Sequence, residues 1–202
     1  MAKFNYKEIA RTIASSPQAA KRVDTMYRNR FNTEKQEFLK AFDAHPVTQE
    51  IKSGPGTDVS NISNTLHGKG NLASFIGFED TDNPTDDVRN VLENNLVIIK
   101  SAKAEPVGTK VRYRFSLRIP EDEIKEASKM PWESGVSWVY GIERGISGFG
   151  NYLRGLFQSP DPSRSGRAIQ AKHDVREGSF KTRPYLSELF KKLINAIGGK
   201  RR

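Results

Sequence analysis

The chain has 202 residues, 36% of them hydrophobic, with a formal charge of +9 and no cysteine; its mean hydropathy is -0.65. That length and apolar content permit one sizeable domain with extensions, while the polarity predicts helices or arms that need partners to bury their apolar sides. The missing thiols exclude a disulfide framework, a thiolate metal site and a cysteine nucleophile. No run approaches eighteen apolar residues and MAKFNYKEIA has no apolar core, so neither a membrane span nor a signal peptide is expected.

Taken in order, Asn5 with Glu8 three residues on reads as a reciprocal N-cap for a short helix striped by Tyr6, Ile9, Ala10 and Ile13. Ser16-Pro17 then opens a second helix, running to about Phe42 through Val23, Met26, Tyr27, Phe31 and Phe38. Its stripe is narrow and its other side charged, as suits a helix laid across a sheet or a neighbouring subunit. After His45-Pro46, Val47 to Ile51 adds a turn before Ser53-Gly54-Pro55-Gly56, and a polar loop occupies about 53–71. LASFIGF, residues 72–78, reads equally as a short buried strand or as a plug into a neighbour. Asn83-Pro84 followed by Asp86 and Asp87 starts another helix.

Residues 109–120, TKVRYRFSLRIP, carry the clearest period in the chain. Val111, Tyr113, Phe115, Leu117 and Ile119 fall on one side of a strand, and Arg112, Arg114, Ser116 and Arg118 on the other. The apolar side predicts a buried core face. The arginine side is either a wet outer face or a contact with carboxylate or phosphate. The apolar stretch from Leu96 and a turn at Glu105-Pro106-Val107-Gly108 make this an antiparallel hairpin over 96–119. Pro120 with Glu121, Asp122 and Glu123 opens a short helix, and 136–142, VSWVYGI, reads as a third core strand because it is rich in β-branched and aromatic residues. The fold class is therefore α+β, a small antiparallel sheet packed on a long N-terminal helix.

The last quarter differs in charge. From Arg154 onward there are 12 Lys or Arg against 4 Asp or Glu, a net +8, which leaves +1 for the first 153 residues. Three segments follow: an α+β body at 1–153, a basic extended arm at 154–182, and an amphipathic docking helix at 183–198 striped by Leu186, Leu189, Phe190, Leu193 and Ile197. Arg164, Arg167 and Arg176 of the arm, with Arg154, are candidate contacts to phosphate or acidic subunits. Trp132, in a loop after Met130-Pro131, is a candidate interface anchor, whereas Trp138 reads as a core residue with its indole N–H satisfied.

No reaction is nominated. His45, His67 and His173 lack metal-ligand spacing, Gly145-Ile146-Ser147-Gly148-Phe149-Gly150 matches neither a phosphate loop nor a nucleophile elbow, and the carboxylate pairs sit at helix starts. No enzyme activity, cofactor or metal is expected.

The order of parts nevertheless resembles a known group. A long N-terminal helix, a Gly/Asn loop and a hairpin lead into SWVYGIERG at 137–145, with Glu143 followed by Gly145. RPYLSELFKKLINAI at 183–197 then opens on Pro184-Tyr185. With the segment from HPVTQEI to SFIGF at 45–78, this resembles the neck and tail-completion proteins that join head to tail in tailed bacteriophages. The resemblance implies a structural virion protein, assembled in the host cytoplasm. It further implies a homo-oligomeric ring, usually sixfold, set between the portal or its adaptor and the tail tube or tail terminator, with DNA passing through. In that setting Arg112, Arg114 and Arg118 would face subunits or phosphate. The alternative class is a basic nucleic-acid-binding module built on the same arginines and the arm.

Overall fold

The computed structural model describes residues 5–55, 62–66, 71–131, 133–144 and 182–198. Helix α1 (Tyr6–Ser15) begins where the Asn5 side chain accepts a hydrogen bond from the Glu8 N–H at 3.4 Å and its amide donates to the Glu8 carboxylate at 3.3 Å. Helix α2 (Pro17–Asp43) follows directly, capped by Ser16 with Pro17 in its first turn. Its 27 residues span about 40 Å. Phe31, Phe38, Leu39 and Phe42 are buried along one side, while Met26, expected in the stripe, is exposed.

The His45 ring caps helix α3 (Pro46–Lys52), its Nδ1 accepting from the Val47 N–H at 3.3 Å. Residues 72–78 are neither strand nor plug. Leu72–Ile76 forms a short helix, α4, capped by Asn71 and closed by Gly77 at φ 92°, a conformation that glycine adopts without a Cβ clash. Helix α5 (Pro84–Asn95) starts at Asn83, whose side chain donates to the Thr81 carbonyl at 3.4 Å rather than accepting from the helix.

Strands β1 (Val97–Val107) and β2 (Lys110–Arg118) form the expected antiparallel hairpin. The turn is Gly108-Thr109, two residues later than the Pro106 signal suggested, and Gly108 supplies the positive φ of 62° at its first position. Two register shifts each insert an extra residue into β1, and none interrupts β2. Helix α6 (Glu121–Ala127) leads to a second, short pairing of β3 (Lys129–Met130) with β4 (Glu133–Ser137).

The third core strand expected over 136–142 is corrected. Only Val136 and Ser137 are strand, and Trp138–Arg144 is helix α7. Ser137 ends the strand by turning its hydroxyl to the Tyr140 N–H at 3.3 Å, and the Trp138 N–H donates to the Ser128 carbonyl at 2.7 Å. The β-branched and aromatic density there reflects burial on a helix face, where Trp138, Val139 and Ile142 all turn inward. Helix α8 (Leu186–Ile197) has the expected stripe, with Leu186, Leu189, Leu193 and Ile197 buried.

The core lies among the helices. Phe42 and Leu39 of α2, Val47 and Ile51 of α3, Leu72 and Ile76 of α4, Leu92 of α5, Trp138 and Ile142 of α7 and the α8 stripe form one cluster. The hairpin leans on this body through α1 and α2. Val111, Tyr113, Phe115 and Leu117 are therefore half-buried rather than fully buried, because a two-stranded ribbon with helices on part of one face cannot enclose them. Cations of α2 tie the layers together: Arg30 donates to the Ala196 carbonyl at the end of α8, and Lys35 donates to the carbonyls of Glu93 and Leu96 at the end of α5. Both contacts place positive charge at a helix C-terminus, where the dipole favours it. Burial holds the Lys35 ammonium below its usual range, with the Glu93 carboxylate opposing the shift.

Candidate interaction surface

The arginine side of β2 is exposed. Arg114 reaches the Glu105 carboxylate on β1 at 3.0 Å, and Arg118 pairs with Glu123 of α6. Arg112 is exposed and makes no ion pair among the described residues; Lys103 and Lys110 flank it on the ribbon and are also exposed. The hairpin thus brings Arg112, Arg114 and Arg118 onto one face, but two of the three already hold a carboxylate. Trp132, Arg154, Arg164, Arg167 and Arg176 lie outside the described residues, as do His67, His173 and Gly145.

On the opposite side of β2 is an apolar groove of about 280 Å³. Phe115, Leu117 and Ile119 form one wall, Ile194 and Ile197 of α8 another, and Tyr27 of α2 stacks on Phe115 with ring centroids 3.4 Å apart. Ile194 is 48% exposed. More apolar surface lies on α1 and β1, where Tyr6 is 63% exposed, Ile9 and Ile13 each 43%, and Ile99 55%. Only Ala10 of the α1 stripe is buried.

Two buried polar centres fix the body behind this surface. Glu50 on α3 is completely buried, and its carboxylate accepts from the Ser63 N–H at 2.8 Å and the Leu72 N–H at 2.9 Å, tying the loop at 62–66 and the start of α4 to α3. Tyr185 is also completely buried, with its hydroxyl 2.6 Å from Thr48 Oγ1 and its ring near Phe42, His45 and Trp138. Burial raises the Tyr185 phenol above its ordinary range, against the lowering effect of the Thr48 hydrogen bond. Burial also lowers the His45 pKa, opposed by the Glu188 carboxylate. Beside them Glu143 of α7 accepts from the Tyr185 N–H at 3.1 Å and the Ser187 N–H at 2.7 Å, a carboxylate at the start of α8. Glu143 and Pro184-Tyr185, 41 or more residues apart in sequence, are therefore neighbours.

Sequence reasoning missed Glu50. The only available signal was an acidic residue three positions after Val47 on a Pro-started turn, which places it on that turn's buried side. Trp138 is buried as a core residue as expected, but its indole Nε1 finds no hydrogen-bond partner among the described residues. No helix among the described residues is long and apolar enough to cross a membrane, and none of their His, Asp and Glu side chains gather in a group of three that could hold a metal ion. Among the described residues the surface presents exposed cations, exposed apolar side chains and, on β2, an outer strand edge that no other strand pairs. No family model, no curated protein and no solved structure matches the chain.

Proposed function

We propose that this chain is a structural virion protein of a tailed bacteriophage, a ring-forming neck or tail-completion component that joins the portal or its adaptor to the tail. The observation that carries the reading is the apolar stripe of α1, whose Tyr6, Ile9 and Ile13 stay exposed among the described residues although their spacing suits burial. Contiguous apolar side chains left exposed mark a surface completed by a neighbour. The commitment of Arg114 and Arg118 to carboxylates of the same chain further favours an assembly role over phosphate binding. A closed ring would bury such stripes against the next copy, with six copies expected.

A second reading, a basic nucleic-acid-binding module, is favoured by the exposed cluster of Lys103, Lys110 and Arg112. The two readings differ in salt response. Phosphate binding weakens by about 0.9 log units per log unit of salt for each phosphate neutralised, and an interface of buried apolar stripes does not. Banding particles from the source lysate on a density gradient, washing them at high salt and quantifying the chain in the DNA-filled fraction tests the proposal. Retention at a fixed small copy number is expected. Release into a soluble pool that tracks nucleic acid would replace the neck reading with the second one.

A further inference from the structure

The two edges of the hairpin are not equivalent. β1 carries Pro106 and both inserted residues, between Ile98 and Lys100 and between Lys100 and Lys103, devices that spoil a strand edge for further pairing. β2 has no proline and no bulge over its nine residues, and among the described residues it pairs with β1 alone. Among the described residues, its outer edge is a row of backbone donors and acceptors in strand geometry that no other strand pairs. A two-stranded ribbon is also marginal by itself and gains from a third strand.

The side chains of β2 define what a third strand must carry. A strand laid along that edge would present alternate residues to the two faces of the ribbon. On one face it would meet Lys110 and Arg112, exposed cations with no ion pair among the described residues, beside Arg114 and Arg118, which Glu105 and Glu123 already hold. On the other it would meet Val111, Tyr113, Phe115 and Leu117 and the apolar groove, where the exposed Ile194 has room for added side chains. We infer that the free edge of β2 is a docking site for an extended segment of a partner protein in which acidic and apolar residues alternate. A second copy paired through the same edge does not fit, because arginine would lie beside arginine and like charges across a pair of strands destabilise it. Nucleic acid does not fit either, since a phosphate backbone offers no matching row of N–H and C=O groups.

The inference rests on the assembly reading only in taking the partner to be a neighbour in the virion; the edge can be tested without particles. A labelled, end-capped nine-residue peptide alternating valine and glutamate is titrated into the full chain by fluorescence anisotropy. Saturable binding is expected, weakened about tenfold or more when the glutamates become lysines or when the chain carries Arg112→Glu, with circular dichroism confirming that this variant is folded. N-methylation of every second peptide residue should abolish binding in one frame and spare it in the other, as only one set of N–H groups faces β2. Absence of binding by the glutamate peptide, equal binding of the lysine peptide, or equal loss in both N-methyl frames overturns the inference. Displacement of the bound peptide by a single-stranded oligonucleotide at lower concentration than by unlabelled peptide also overturns it. If the peptide binds while particles lack the chain, the edge stands and the neck reading falls; the reverse pair of results removes the edge alone.

Discussion

Replacing Glu50 should damage this fold more than any other single polar change. Its two carboxylate oxygens take the N–H groups of Ser63 and Leu72, at 2.8 and 2.9 Å, and all three residues are buried. In Glu50→Ala both amides lose that acceptor where water cannot replace it. Each orphaned donor costs about 1–3 kcal/mol, so the pair amounts to about 4 kcal/mol. Removing a buried carboxylate relieves its own desolvation, which brings the net loss to about 3 kcal/mol. That is a large part of the roughly 5–15 kcal/mol available to a domain. Glu50→Gln keeps one acceptor oxygen but turns an NH₂ group toward the other amide, donor against donor, and should cost about 2 kcal/mol. Urea unfolding of the full chain, followed by far-UV circular dichroism, reads both variants, with m unchanged if only stability moves. An alanine variant within about 0.5 kcal/mol of the parent would refute the reasoning, as would a glutamine variant less stable than the alanine one.

Other consequences follow from the same body. Tyr185→Phe strands the buried Thr48 hydroxyl and should lose about 1–2 kcal/mol, whereas Tyr185→Phe with Thr48→Val should lose less than the two single changes summed; a double-mutant cycle by denaturant unfolding measures the difference. Leu193→Ala opens a cavity between α8 and α2 and should cost about 2–5 kcal/mol in the same assay. The folded-state pKa of His45 is depressed below 6.5, so its stabilising contribution is present above that pH and is lost as pH falls through the folded value. Stability should therefore decline on acidification below about pH 6.5, and less so in His45→Asn, where the cap is retained without a titrating ring. Arg183, Glu143, Glu188 and Lys192 face the ring, but the carboxylate whose pKa is lowered there, Glu188, titrates below this window.

Local chemistry made much of this fold readable. Asn5, Ser16-Pro17 and His45-Pro46 start helices because their side chains or fixed φ satisfy or remove the first orphan amides, information carried within four residues. The α8 stripe was legible from period alone, and the hairpin from the β2 period together with the apolar stretch and turn signal before it. What failed depended on distant contacts. At 136–142 the composition favoured a strand, and the switch to helix at Trp138 depends on Ser128, a partner supplied by the fold. The same holds for the β2 apolar face: alternation shows which side turns inward but not how completely helices will cover it, and among the described residues α1, α2 and the end of α8 cover it only in part. Of the candidate contacts, the three strand arginines were legible as one face, and the carboxylates of Glu105 and Glu123 that hold two of them were not, because pairing depends on register and on the turn into α6.

The most direct test of the neck proposal is to inactivate the gene for this chain in the phage that the proposal takes as its source and to image the lysate by electron microscopy. The proposal predicts DNA-filled heads and finished tails lying apart, joined into infectious particles when purified chain is added back. Intact, infectious particles formed without it would contradict the account.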